Sequence, residues 1–267
     1  LFAHVIGYSD TELGKTGLES VENFELLTSN AFFVEKIQNE FNGTKNQGDT
    51  VVTTLDADLQ QAAYDALGDN KGAVVVLEAD TGKILTMVSK PDYDPNNLAA
   101  DWETLNTDEE NSPLQNRATK GSYAPGSVFK ISTTLAYMRQ NSDYPSYTYD
   151  CTGSITVDNT TIPCFDNTVH GFEDLRSSFA NSCNSSFANI GLSLDLAKYK
   201  ETAEDLLFNS ALPGVLDYTK SSFVLDEGAP VSEVMMTAMG QGRTTVSPYH
   251  MALITQAVAN GGTLMEY

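Results

Sequence analysis

Gly121-Ser-Tyr-Ala-Pro-Gly-Ser-Val-Phe-Lys130 holds a serine and a lysine three residues apart, Ser127 and Lys130, at the predicted start of a buried helix. Pro125 and Gly126 interrupt whatever structure precedes them. Behind them Val128, Ile131, Leu135 and Met138 recur at helical spacing, with Phe129 and Ala136 on other faces. Residues three apart on a helix point to the same side, so the hydroxyl and the amine are predicted to touch.

A serine hydroxyl is a weak nucleophile until a base takes its proton, and the positive end of a helix favours the alkoxide. A lysine serves as that base only when neutral. Its ordinary pKa of about 10.4 makes it an ammonium at neutral pH, so the site must desolvate it or set a second cation beside it. The apolar helix around Lys130 is expected to supply the desolvation. A bare Ser-x-x-Lys pattern equally describes a surface serine and a snorkelling lysine; the Pro-Gly break and the apolar run behind it favour the catalytic reading.

A length of 267 residues fits one large domain, or one domain and part of another, and 41% hydrophobic with 19% charged residues describes a chain with a real core. No apolar run approaches the ~20 residues of a membrane span. The net charge of −21, from 36 acidic and 15 basic residues, argues against nucleic acid or an anionic membrane face as partner. The cysteines (Cys151, Cys164, Cys183) lack metal-ligand spacing, and His4, His170 and His250 are scattered singly, so no metal site and no cofactor are expected. The chain opens on Leu1 rather than Met and ends just after Asn260-Gly-Gly262, and it reads as a piece of a longer protein.

Residues 1–50 are polar and irregular, with one amphipathic piece over 31–41. Leu13-Gly-Lys-Thr-Gly-Leu-Glu19 is not a phosphate-binding loop, because the position five before its Gly-Lys-Thr is Ser9. Leu59, Ala62, Ala63, Ala66 and Leu67 predict a helix between Asp56 and Gly68. Residues 72–78 and 83–89 read as a hairpin whose first strand is buried on both faces. Residues 91–117 read as a long acidic loop. A second hairpin turns at Asp158-Asn159 and brings Cys151 near Cys164, so a disulfide between them stays open. Helices follow over about 174–181, after Ser182-Cys-Asn184, and around Leu196 to Leu207. A last one starts at Ser247-Pro248 with Met251, Ile254, Ala257 and Val258 on one face.

Ser127-x-x-Lys130, Ser182-x-Asn184, and then Gly240-Gln-Gly-Arg-Thr-Thr-Val-Ser-Pro-Tyr-His-Met-Ala252 with Ala259-Asn-Gly-Gly262 form an order that resembles the transpeptidase domain of penicillin-binding proteins. Asn116-Arg-Ala118, Pro91-Asp-Tyr-Asp-Pro-Asn96, Thr54-Leu-Asp56 with Gln60, and Gly17-Leu-Glu19 extend the likeness over nearly the whole chain. The leading box looks like the class B, monofunctional type. The resemblance implies an α/β (α+β type) fold, an antiparallel sheet flanked by helices plus an all-helical subdomain. It also implies a division into the end of a pedestal module at 1–50 and a transpeptidase domain at 51–267.

The same resemblance implies that Ser127 attacks the penultimate D-Ala carbonyl of a peptidoglycan stem peptide, with Lys130 as base. Ser182 would relay a proton to the leaving amine, and Asn184 would bind the acyl-side amide. β-Lactams would mimic the substrate and stall on Ser127. Cys183 is expected to be a small buried filler. The family's Lys-Thr-Gly strand would follow Gly262; Lys15-Thr-Gly17 has the letters in the wrong module, so the domain is expected to be incomplete and the 267 residues alone inactive. Partners implied are the D-Ala-D-Ala stem peptide, β-lactams and wall-synthesis membrane proteins, on the extracytoplasmic face behind an N-terminal anchor. The rivals are a D,D-carboxypeptidase or β-lactamase, in which water resolves the acyl-enzyme, and a β-lactam sensor or scaffold without turnover.

Overall fold

The structure is a computed structural model and describes residues 1–28, 33–45 and 48–266. The chain forms two compact units, one of Leu1–Gly121, Pro213–Thr219 and Pro248–Tyr267, the other of Ser122–Leu212 and Lys220–Ser247. Neither is a single run of sequence.

The first unit opens on short helices, Ala3–Ile6, Gly17–Val21 and Asn23–Leu27, around a small hairpin of Ser9–Asp10 and Gly14–Lys15. In the predicted amphipathic piece a helix covers Phe33–Phe41, while Ala31 and Phe32 lie outside the described residues. The helix Ala57–Leu67 forms where expected: Asp56 accepts the N–H groups of Asp58 and Leu59 at 3.0 and 2.9 Å, and Gly68 ends it with φ 54°. Its inward face differs from the predicted one. Leu59 is 43% exposed, and Gln60 is buried instead. The reason is tertiary hydrogen bonding: Gln60 donates to the Met87 carbonyl at 2.8 Å and accepts the Met87 N–H at 2.9 Å, so an amide is satisfied inside the core.

Strands Gly72–Leu77 and Ile84–Lys90 pair antiparallel with Val74 opposite Val88. The first strand is half-buried and the second carries the core residues Met87 and Val88. Helix Pro248–Ala259 packs on the first strand, and the Gln256 amide donates to the carbonyl of Ala79. Its buried face holds Tyr249, His250, Leu253, Ile254 and Gln256; of the predicted stripe only Ile254 is buried. Residues 91–117 are not one loop, since a helix spans Leu98–Thr107. Leu98, Trp102 and Leu105 fall on one side of it and pack with Ala3, Tyr93 and Leu114, an apolar stripe hidden by the acidic and Asn-rich composition.

In the second unit, helix Lys130–Gln140 buries Lys130, Ser132, Thr133 and Ala136, while Val128 and Met138 of the predicted stripe are 49% and 37% exposed. Thr133 hydrogen-bonds the Tyr199 hydroxyl at 2.7 Å and the Ala238 carbonyl at 2.8 Å, which is why a threonine occupies the inner face. Phe129 sits edge-on to Phe208 at 5.4 Å in an aromatic core with Tyr199 and Phe223. The predicted hairpin is present as Ser154–Val157 paired with Thr160–Pro163, its turn residues Asp158 and Asn159 at φ 48° and 65°. Thr148–Cys151 pairs instead with Gly171–Asp174. Thus the helical subdomain also carries two small sheets. Helices Leu175–Ala180, Asn184–Ser193, Leu196–Asp205 and Val231–Ala238 complete the unit. Asp174 and Ser177 close a capping box on the first of these. Asn184–Ser193 and Val231–Ala238 pack so closely at Gly191 that a Cβ there would lie 2.5 Å from that of Ala238.

Candidate active site

Ser127 lies in a tight turn of 3₁₀ helix, Gly126–Phe129, directly ahead of helix Lys130–Gln140. At about three residues per turn, positions i and i+3 of such a turn eclipse one another more closely than in an α-helix. The turn is tied to a second segment of the same unit: the Gly126 N–H donates to the Gly240 carbonyl at 2.7 Å, and Tyr123 bridges Val246 through bonds of 3.0 and 2.8 Å. Gly240 has φ 85°, and a Cβ on it would fall 1.5 Å from the Gly126 carbonyl oxygen. Only glycine fits there.

The four side chains singled out in the sequence converge. Lys130 is 1% exposed, and its Nζ lies 3.3 Å from Ser127 Oγ, 2.8 Å from Ser182 Oγ, 2.8 Å from the Ser182 carbonyl and 2.8 Å from Asn184 Oδ1. Ser182 occupies the junction between two helices in the left-handed region at φ 52°, so its hydroxyl and its carbonyl both face the amine. Asn184 begins the next helix, and its Nδ2 donates to the Pro163 carbonyl at 3.2 Å. The helix cap is neither of these residues but Cys183, whose sulfur accepts the Ser186 N–H. Cys183 is fully buried.

Burial lowers the Lys130 pKa to about 8, against an opposing pull from Cys183 and Cys164. A neutral amine keeps two N–H donors and one lone pair. The Ser182 carbonyl and Asn184 Oδ1 only accept, so they take the two donors. The lone pair is then left for the hydroxyls of Ser127 and Ser182. The arrangement can draw a proton from one hydroxyl and pass it to the other.

Sequence reading missed the Gly126–Gly240 bond and the convergence of all three cysteines. Cys151 and Cys164 are free thiols with Sγ atoms 3.7 Å apart, and Cys164 and Cys183 are also 3.7 Å apart. A disulfide needs about 2.05 Å. Lys15-Thr-Gly17 sits in the first unit, where the Lys15 amine hydrogen-bonds Asn23 Oδ1. An apolar cavity of about 280 Å³ in that unit, between Val5, Leu18, Val52 and Ile84, contains none of the four converging side chains.

Residues 72–267 match the model of the penicillin binding protein transpeptidase domain, and residues 1–51 match that of the penicillin binding protein A dimerisation domain. The chain belongs to the penicillin-binding protein transpeptidase family. Among its relatives in that family, the peptidoglycan D,D-transpeptidase PbpA of Mycolicibacterium smegmatis is 34% identical over 99% of this chain, and PbpA of Mycobacterium tuberculosis is 32% identical over all of it. The chain spans 57% of the length of each of those two relatives. The fold is likewise that of the family: the imipenem acyl-enzyme complex of penicillin-binding protein A from M. tuberculosis superposes with a TM-score of 0.87 at 29% identity, covering 98% of this chain and 64% of that one. Among the described residues no helix is long and apolar enough to cross a membrane.

Proposed function

We propose that this chain is the catalytic part of a serine D,D-transpeptidase that crosslinks peptidoglycan stem peptides and is acylated by β-lactams. The observation that carries the reading is Lys130: a buried amine with its pKa lowered to about 8, within 3.3 Å of one serine hydroxyl and 2.8 Å of another. Ser127 Oγ adds to the carbonyl of the penultimate D-Ala as its proton passes to Lys130. The terminal D-Ala leaves as an amine, protonated through Ser182. Asn184, oriented by Lys130 and Pro163, keeps a free amide hydrogen for the acyl-side carbonyl. A stem-peptide amine then attacks the acyl-enzyme, a new amide forms, and Ser127 regains its proton. Residues 1–50 act as the end of a pedestal and 51–267 as the transpeptidase domain, held on the extracytoplasmic face by an anchor elsewhere in the protein and working beside wall-synthesis membrane proteins.

Fluorescent penicillin added to the intact protein tests this. One label per chain is expected, with the mass increment on the peptide that holds Ser127, and Ser127→Ala abolishes it. Labelling that persists in Ser127→Ala overturns the assignment. Incubation with a D-Ala-D-Ala stem peptide and an acceptor amine is expected to yield the crosslinked amide; free D-Ala with no crosslink would assign a carboxypeptidase instead.

A further inference from the structure

Cys151, Cys164, His170 and Cys183 come from separate segments: the end of strand Thr148–Cys151, the residue after Thr160–Pro163, the residue before Gly171–Asp174, and the cap of helix Asn184–Ser193. Their three sulfurs and one imidazole nitrogen all lie within 4.8 Å of one another. Cys151, Cys164 and Cys183 are 0%, 3% and 0% exposed. The sulfurs of Cys151 and Cys164 stand 3.7 Å apart, those of Cys164 and Cys183 also 3.7 Å, and His170 Nδ1 is 3.3 Å from Cys151 Sγ. Zinc bonds of about 2.3 Å to sulfur and about 2.05 Å to nitrogen, at tetrahedral angles, place two sulfurs about 3.8 Å apart and a sulfur and a nitrogen about 3.6 Å apart. We propose that these four side chains form a tetrahedral Cys₃His site for a zinc ion.

Core packing does not account for the cluster. Thiols alone pack as small apolar groups, but here an imidazole nitrogen lies 3.3 Å from the Cys151 sulfur, and a hydroxyl and a backbone N–H lie within hydrogen-bond reach of the sulfurs. The Ser185 hydroxyl, fully buried, lies 3.3 Å from Cys151 Sγ, 3.3 Å from Cys164 Sγ and 3.4 Å from Cys183 Sγ. The Ser186 N–H donates to Cys183 Sγ at 3.4 Å. Such outer donors suit thiolates, which accept hydrogen bonds far better than thiols do. Soft thiolates with one imidazole in tetrahedral array select zinc over magnesium, calcium or manganese. With four protein ligands the site has no open position and is structural. Binding releases the three thiol protons to solvent and leaves the zinc and three thiolates with one net negative charge.

The ion would also act on the site beside it. Cys183 stands between Ser182 and Asn184, two of the residues hydrogen-bonded to Lys130 Nζ. Tying Cys183 to two strands and a loop holds that segment at the junction of its helices, where Ser182 has its left-handed backbone.

The test is metal content, read independently of acylation. The intact protein, prepared without chelator, is dialysed and analysed by mass spectrometry for metals. One zinc per chain is expected. Replacing it with cobalt is expected to give the visible bands of a tetrahedral ion and a thiolate charge-transfer band. His170→Ala, at a half-buried position, and Cys164→Ser are each expected to weaken zinc binding by about tenfold or more. Should Cys164→Ser fail to fold, the cobalt spectrum of the unaltered protein still decides. Three freely titrating thiols in native, zinc-replete protein, a disulfide among them, or a zinc affinity, measured by chelator competition, that is unchanged in His170→Ala would each overturn the proposal.

Discussion

At Lys130, burial changes the state of an amine. In water its amine would be protonated at neutral pH; inside the second unit desolvation brings the pKa to about 8. The rate of acylation by a β-lactam is therefore expected to climb about tenfold per pH unit below 8 and to level off above it, as the neutral base becomes the main form. Stopped-flow acylation across pH 6 to 9.5 checks this, and a flat profile would remove Lys130 as the base. Stability should follow the same direction. Between about 8 and about 10.4 the unfolded lysine binds a proton that the folded one has released, so the unfolded state holds more protons and stability rises with pH over that window. Ser127 and Lys130 were legible from their spacing, and Ser182 and Asn184 from their order in the family pattern. The aim of the Ser182 carbonyl at the amine was not, because its positive φ is set by how two helices meet rather than by neighbouring letters.

At the scale of elements, hydrophobic spacing gave the helices and local hairpins but misplaced their inner faces. Gln60, Lys130 and Thr133 are polar and buried, each satisfied by a partner far along the chain that no local window contains. The pairing of Thr148–Cys151 with Gly171–Asp174 escaped for the same reason. The 3₁₀ turn that presents Ser127 rests on one close approach, and this makes a sharp prediction. Gly240→Ala would force its Cβ onto the Gly126 carbonyl, 1.5 Å away, in a backbone conformation that alanine resists. Labelling by fluorescent penicillin is expected to fall by at least about tenfold, a loss of roughly 1.4 kcal/mol of transition-state stabilisation, while far-ultraviolet circular dichroism keeps its helical signal. Gly191→Ala, where helices Asn184–Ser193 and Val231–Ala238 touch, is expected to act on stability instead. Overpacking of that kind costs about 1–3 kcal/mol, readable as a lower denaturation midpoint in urea.

Over the whole molecule, 36 acidic residues face 15 basic ones, a net charge of −21. The ion pairs among the described residues are mostly solvent-exposed, such as Arg139 with Asp205 at 2.6 Å, and offset little of this repulsion. Raising ionic strength from about 0.01 to about 0.15 M shortens the screening length from about 30 to about 8 Å, and Tm is expected to rise with it; a falling Tm would mean that the exposed pairs outweigh the repulsion. Family order made the transpeptidase fold legible across nearly all the chain. The division into units was not, because the first is gathered from Leu1–Gly121, Pro213–Thr219 and Pro248–Tyr267. During synthesis the strand Gly72–Leu77 leaves the ribosome long before the helix Pro248–Ala259 that packs on it. At about 5–20 residues per second the face of the nascent strand that takes this helix stays uncovered for on the order of ten to thirty seconds, and a chaperone that recognises exposed apolar strand faces has that interval in which to act.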